Sequence, residues 1–383
     1  MSRLTTVATH VSNHAQMPSP ARDPKKVAAE FFAGIGLVRM ALERAGWTVR
    51  LANDIDEKKA QLYRANFPGN DFRLGDIRDI RADDVPNLQL ATASFPCIDL
   101  SLAGNRGGLS GKHSSAYWEF HRIIEAMRER RPKFVLLENV LGLLSSRGGD
   151  DLRSIVASLN KMGYTCDLLA VDAVHFVPQS RPRLFVVGIR GRDASAVIEH
   201  EARSPQVLRF IRANSDLKWS SVRLPPLPPK RSNLATIMER LSPTAPEWWD
   251  QSRQAHLYSQ ISPRHRALLR HLMKSRRFRY ATVYKRVRPA GCRAELRADG
   301  VAGCLRTPRG GSSKQFVIVA GNGKWRVRNM TAREYARLQG VPDSFNIGVP
   351  YLQALFGFGD AVCVPAVKWV VRSCFADGET KRL

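Results

Sequence analysis

Between Val27 and Ile189 the chain alternates short apolar runs with longer amphipathic stretches. The runs VAAEFFA, TVRLAN, LQLATASF, KFVLLENV, TCDLLAVD and RLFVVGI read as strands covered on both faces. Between them, LVRMALERAG, EKKAQLYRANF, AYWEFHRIIEAMRER and DDLRSIVASLNKMG carry apolar residues at helical spacing. Alternation of this kind predicts an α/β fold, a doubly wound, mostly parallel sheet with helices on both faces. Ligands of such sheets sit beyond the carboxyl ends of the strands. Gly34, Asp54, Asp76, Cys97 and Glu138 all fall at such ends.

After Gly191 the alternation stops. LPPLPPK is a proline-rich connector, and the region 193–354 reads as irregular. The pattern therefore divides the chain into a loose polar tail over 1–24, a catalytic-type α/β domain over 25–192 plus 355–383, and a smaller domain over 193–354. The last apolar segment, LFGFGDAVCVPAVKWVVRSCF, reads as a helix returning to the core.

Charge sharpens this division. The chain has 60 Lys+Arg against 34 Asp+Glu, a net +26. The region 193–354 holds 29 Lys+Arg and 11 Asp+Glu, so 29 − 11 = +18 of that charge lies there. Gln251 to Ala294 contains 12 basic residues and no acid. Such a surplus points to a polyanionic partner. The run HRALLRHLMKSRRFRYATVYKRVR (His265–Arg288) reads either as a groove-facing surface or as a solvated basic helix. Six widely spaced cysteines form no CxxC pair, so neither a metal site nor a disulfide framework is expected, and a reduced, cytoplasmic setting fits. No membrane span and no signal peptide are expected.

The chemistry concentrates at strand ends. FFAGIGLVRMAL is strand, glycine turn, helix, in which Gly34 and Gly36 let backbone approach a ligand. A dinucleotide fingerprint needs a third glycine where Arg39 stands, so a pyrophosphate is disfavoured. ANDID places Asp54 about 20 residues further on, suited to ribose hydroxyls. GDIRDI places Asp76 where it suits an adenine amino group. A nucleoside without phosphate points to S-adenosylmethionine, although each aspartate by itself reads equally as a helix N-cap. Glu138 in LLENV ends an apolar strand, costly for a carboxylate unless it is paired or functional. Gln179, Arg181 and Arg183 form a Q-x-R-x-R array, which an ion pair or a phosphate grip would also explain.

Taken in order, FAGIG, ANDID, GDI, FPC with SLAGNRGGL, ENV, Q-x-R-x-R, TAREYARLQGVPDSF and GFGDAV resemble the C5-cytosine DNA methyltransferases of bacterial or phage type. That resemblance implies a class I S-adenosylmethionine-dependent methyltransferase fold with a smaller target-recognition domain. It implies Cys97 as the nucleophile on C6 of a flipped-out cytosine, Glu138 at N3 and the exocyclic amine, and Arg181 and Arg183 beside the base. It assigns the cofactor pocket to Phe32, Ala33, Gly34, Ile35, Gly36, Asp54, Ile55, Asp76, Ile77, Pro96, Asp360 and Ala361, with S-adenosyl-L-homocysteine as product. Asn139 and Gln179 become supporting residues. Ser101, Arg106, Gly107, Arg276, Arg277, Lys285, Arg286, Thr307 and Arg309 become contacts to double-stranded DNA, and 103–115 a lid. A monomer acting beside a possible cognate restriction endonuclease is implied.

The chain departs from the family pattern at Leu37, usually glycine, at Ile98, usually Gln, at Ile55, commonly aromatic, and at Asp360, usually Asn. Two other classes compete: a non-catalytic DNA-binding or modification-sensing protein, and a tRNA cytosine methyltransferase. The intact Cys97, Glu138 and Arg183 disfavour the first, and the long basic region disfavours the second.

Overall fold

The structure, a computed structural model, describes residues 26–96, 115–231, 233–288, 291–308 and 314–375. The amino-terminal alternation folds as β1 (Val27–Phe31), α1 (Leu37–Glu43), β2 (Thr48–Asp54), α2 (Glu57–Asn66), β3 (Phe72–Leu74) and β4 (Leu90–Ala93). It continues with α3 (Ser115–Ala126), β5 (Phe134–Val140), α4 (Asp150–Lys161), β6 (Tyr164–Asp172) and β7 (Pro182–Arg190). The strands form one seven-stranded sheet in the order β3-β2-β1-β4-β5-β7-β6. Only β7 runs antiparallel to its neighbours, so the sheet is mixed and mostly parallel.

The two faces of the sheet bury different sets of side chains. Ala28, Leu90, Leu136 and Val187 pack beneath α1, α2 and the carboxyl-terminal helices. Ala29, Phe31, Val135 and Leu137 pack beneath α3 and α4. Between β1 and β4 the strand order reverses, and in sheets of this kind the ligand crevice lies outside the carboxyl ends at such a switch point. The turn after β1 and the segment Ser94–Pro96 after β4 both open there.

The region 193–354 is not irregular throughout. It contains α5 (Pro205–Ala213), α6 (Gln251–Gln260), α7 (Pro263–Met273) and a four-stranded antiparallel sheet, with α8 (Ala332–Leu338) after it. The sheet has the order β11-β10-β8-β9, with β8 Arg279–Arg288, β9 Gly291–Arg297, β10 Gln315–Gly321 and β11 Lys324–Asn329. The dense arginines hide its two-residue period: Ala281 and Val283 point into a core with Leu257, Leu269 and Ile318, while Tyr280 turns to the opposite face. The run His265–Arg288 is accordingly not one helix but most of α7, a turn and β8.

Packing changes away from the boundaries at which the sequence pattern changes. Arg203 is buried and donates to both carboxylate oxygens of Asp167 on β6 and to the carbonyls of Ile198 and Val222. Val207, Phe210, Ile211 and Trp219 join the core beneath α4, so 195–222 packs on the large sheet. At the other end, Tyr335, Leu338 and Phe345 pack with the opposite face of that sheet. Thr331 and Glu334 form a capping box at the start of α8, and Glu334 also pairs with the buried Arg328.

The carboxyl-terminal apolar segment is two helices, α9 (Tyr351–Asp360) and α10 (Val364–Cys374), rather than one. Pro365 sits in the first turn of α10, where a missing N–H costs nothing. By length and composition alone Tyr351–Cys374 would suffice to cross a membrane, but the segment is broken between α9 and α10 and most of it is buried. Its Leu355, Phe358, Val367 and Val371 are buried against the sheet.

Candidate active site

The glycine turn is held by a carboxylate. Asp54, at the end of β2, accepts from the Gly34 N–H at 2.7 Å and from the Asp56 N–H at 2.8 Å. The turn is tight: Phe32 adopts φ +58, uncommon for a bulky residue, followed by Gly34 at +56 and Gly36 at +82. The two glycines do different things. A Cβ on Gly34 would meet only Lys59 Cδ at 4.0 Å, whereas one on Gly36 would meet the Phe67 ring at 2.4 Å and Tyr63 at 2.9 Å. Gly34 thus leaves room for a ligand, and Gly36 is needed for packing against α2.

The same distinction runs through the expected cofactor residues. Ala33 and Ile35 are buried, and Ile35 packs closely against Gly357 of α9. Ile55 is 67% exposed beside Asp54, an apolar surface left open at the crevice. Asp76 caps the 3₁₀ turn that begins with buried Ile77. The backbone N–H and guanidinium of Arg78 hold its carboxyl below the usual range. Asp56, not Asp54, caps α2, so of the two aspartates considered only Asp76 is a cap. Pro96 is half-buried at the end of the segment after β4.

Asp360 does add a carboxylate here, but Lys59 neutralises it at 2.9 Å. Burial opposes the charge on Lys59, and Asp360 outweighs it, so the ammonium is held above its usual range. Lys59 escaped the sequence reading because it looks like any exposed residue in the first turn of an amphipathic helix. Beneath the turn lies another group that the sequence reading missed, Glu30, a fully buried carboxyl on β1. One oxygen accepts from the Arg39 N–H in the first turn of α1, and the other has no partner among the described residues. Burial pushes this carboxyl well above its ordinary range.

Further along the edge, Glu138 on β5 pairs with Arg183 on β7, Nε to Oε1 at 3.0 Å, both largely enclosed. The antiparallel register sets Val140 opposite Arg183 and Glu138 opposite Phe185, so the pair bridges diagonal neighbours. Asn139 turns the other way and donates to the Phe95 carbonyl at 3.2 Å, tying β5 to the segment that leads to Cys97.

Arg181 and Gln179 have a different part. Arg181 is 2% exposed; it donates to the carbonyls of Leu305, Gly359 and Ala361 and to Cys304 Sγ at 3.3 Å. Gln179 is buried, donates to the Leu338 carbonyl and accepts from the Leu305 N–H. Both residues clamp 304–305 against α8 and α9, so Arg183 alone of the two arginines contacts Glu138. Gly359 allows the same close approach: a Cβ there would lie 2.6 Å from the Arg306 carbonyl carbon and 2.7 Å from the Thr307 nitrogen.

Cys97, Ser101, Arg106, Gly107, Arg309 and all but the last residue of the expected lid 103–115 lie outside the described residues. Burial pushes the thiol of Cys363 up to about 12, and those of Cys166 and Cys374 also upward, as for inert core cysteines. Cys304 differs. Burial raises it too, but Arg181, Arg183 and Arg306 outweigh that and hold the thiol below its usual value.

The expected DNA contacts of the small sheet are separated. Lys285 lies 5.7 Å from the Trp249 ring on one face of β8, and Arg286 pairs with Glu295 on the other. Arg276 and Arg277 are exposed in the turn beside Gly321. That turn is at the far end of β10 from Gln315, about 20 Å along the strand. Among the described residues no group of side chains could hold a metal ion.

The family model for C-5 cytosine-specific DNA methylase matches residues 27–376. The chain is 28% identical over 346 residues to the Type II methyltransferase M.NgoBI of Neisseria gonorrhoeae, covering 90% of this chain and 92% of that one. It is 30% identical over 342 residues to M.NlaX of Neisseria lactamica, covering 88% and 93%. Among solved structures it resembles the S. pombe Dnmt2 methyltransferase with TM-score 0.60 at 18% identity, over 91% of this chain and 98% of that one. A Spodoptera frugiperda DNMT2 gives TM-score 0.63 at 14% identity, over 92% and 100%. At such identities these structural likenesses establish the fold alone, that of a class I methyltransferase.

Proposed function

The chain belongs to the C-5 cytosine-specific DNA methylases, and from that premise we propose that it methylates a flipped-out cytosine within a specific duplex sequence through a covalent Cys97–C6 adduct. The observation that carries this reading is the enclosed Glu138–Arg183 pair, set on the same sheet edge as the Asp54-bound glycine turn. S-adenosylmethionine supplies an electrophilic methyl group when bound. The residues present fit it: Gly34 leaves open space, Ile55 offers apolar surface for a base, and Asp54 retains lone pairs for ribose hydroxyls. Asp76 and Pro96 complete the nucleoside side of the pocket. Phe32, Ala33, Ile35 and Gly36 shape the glycine turn and Ile77 the turn after β3, while Asp360 and Ala361 close the pocket from the end of α9.

Cytosine C5 is a weak nucleophile, and addition of the Cys97 thiolate at C6 makes it an enamine carbon able to take a methyl group. Glu138 receives the exocyclic amine and holds a proton at N3, where charge develops. Arg183 keeps that carboxyl in place. C5 takes the methyl group, leaving S-adenosyl-L-homocysteine; the C5 proton then passes to water as the Cys97–C6 bond breaks, which restores the ring and returns the Cys97 thiolate. None of these atoms is reachable inside a stacked duplex, so the base leaves the stack. The +18 charge of 193–354 supports the phosphate contacts that such a duplex needs. Similarity to proteins named Type II methyltransferases supports a role beside a restriction endonuclease.

Bisulfite sequencing of DNA from cells expressing the protein tests this directly. Wild type should leave 5-methylcytosine in one sequence, and Cys97→Ser should leave none. Glu138→Gln should lower kcat by about 10²–10⁴ with folding unchanged by circular dichroism. Unaltered methylation by Cys97→Ser, or transfer to tRNA in place of duplex DNA, would overturn the proposal.

A further inference from the structure

The two faces of the small sheet meet different surroundings. Ala281 and Val283 of β8 pack towards α6 and α7. On the opposite face Tyr280, Val317 and Val319 pack against the main core, which orients that face towards the large sheet. Further along the same face the register sets Gln315 opposite Tyr284, and Tyr284 opposite Glu295. The Gln315 side chain closes over Gly303, where a Cβ would meet its Nε2 at 3.0 Å. Gly303 precedes Cys304, which Arg181 and Arg183 both contact, and Arg183 holds Glu138. A continuous path of contacts thus runs from the catalytic carboxylate to the face that carries Tyr284, Arg286 and Glu295. Duplex flanking a base held at Glu138 would meet this face.

These three side chains orient one another. The Tyr284 hydroxyl bonds Glu295 Oε2, the Arg286 Nη2 donates to that hydroxyl at 3.0 Å, and the Arg286 Nε lies 3.5 Å from Glu295 Oε1. Glu295 is the first acid after a stretch from Gln251 to Ala294 that has 12 basic residues and none of opposite sign. A carboxylate on a surface facing phosphates weakens binding unless it accepts from a base. Carboxylates accept from the N4 amine of cytosine, and arginine forks onto O6 and N7 of guanine, so together they match the two halves of one base pair.

We propose that Glu295 and Arg286, oriented by Tyr284, read a G·C pair flanking the target cytosine and so fix part of the target sequence. The proposal rests on the reading of duplex DNA as substrate. Purified full-length wild type, Glu295→Gln, Arg286→Ala and Tyr284→Phe would each methylate a duplex library with randomised flanks, read out by bisulfite sequencing. Glu295→Gln and Arg286→Ala should lower discrimination about ten- to a hundredfold at one shared flanking position and leave the other positions unchanged. Tyr284→Phe, which removes only a hydroxyl, should lower it less at that same position. Preferences that superimpose on wild type at every position, whatever the overall rate, would overturn the proposal alone and assign the cluster to stability. A wild type that methylates no duplex would overturn it together with the reading beneath it.

Discussion

The carboxyl edge of the large sheet and the face of the small sheet use charged residues in opposite ways. At the large edge the charges are mostly enclosed and fixed by their neighbours: Asp54 by two backbone N–H groups, Arg181 by four carbonyls, Glu138 by the Arg183 side chain. On the small sheet and α6 beside it, exposed arginines lie over aromatic rings, such as Arg253 of α6 at 4.4 Å from Trp249 and Arg326 of β11 at 4.1 Å from Trp248. Enclosure raises electrostatic strength and removes freedom, which suits a reacting atom held at one position. Exposed cations weaken with salt and re-aim cheaply, which suits sliding along a phosphate backbone. Substitutions should therefore cost much at the first region and little at the second.

The largest stability effect should come from Gly36→Ala. Its Cβ would enter the Phe67 ring at 2.4 Å from a backbone at φ +82, so a loss of about 2–4 kcal/mol is expected in urea titrations. Gly34→Ala has open space and should cost only the left-handed conformation, about 1–2 kcal/mol, while weakening cofactor binding measured by calorimetry. Equal losses for the two would erase the distinction between a packing glycine and a ligand-facing one.

Glu30→Gln should change the pH dependence of stability rather than its size. Burial raises the folded carboxyl above its unfolded value, with Arg39 opposing and Asp54 and Glu43 reinforcing. The folded protein therefore binds this proton more tightly, and the stability it contributes is lost as pH rises from the ordinary carboxylate range towards the folded value. Urea midpoints at acid and neutral pH should converge in Glu30→Gln. The smallest effect belongs to Arg276→Ala and Arg277→Ala. Each should weaken DNA binding uniformly across sequences and reduce the salt slope by about 1, with stability within about 0.5 kcal/mol of wild type. A sequence-specific loss from either would show that the far end of the small sheet also reads bases.

Much of the large sheet was legible because strands buried on both faces and helices buried on one leave different periods in the sequence. Its strand ends were legible for the same reason, and with them Gly34, Asp54, Asp76 and Glu138. The small sheet was not: arginines at Arg279, Arg286 and Arg288 hide the alternation of Ala281 and Val283, and its partners come from residues far along the chain. The partition of Q-x-R-x-R was equally out of reach. Sequence puts Gln179, Arg181 and Arg183 on one face, yet two of them are clamps on 304–305 and only one meets Glu138. Lys59 and Cys304 carried no local signal, since each is defined by a neighbour more than a hundred residues away.

The order and spacing of the motifs, set by short-range periodicity and by residue chemistry, determined the sheet, the carboxylates at its edge and the family resemblance. Tertiary structure alone decided which of those groups touch. It placed Gly36 against Phe67 and Gly34 against open space, put Lys59 on Asp360, and split the arginines between a clamp on 304–305 and an ion pair with Glu138. Local sequence specifies which groups a segment can offer. Burial and pairing energies belong to surfaces that meet only when distant segments pack.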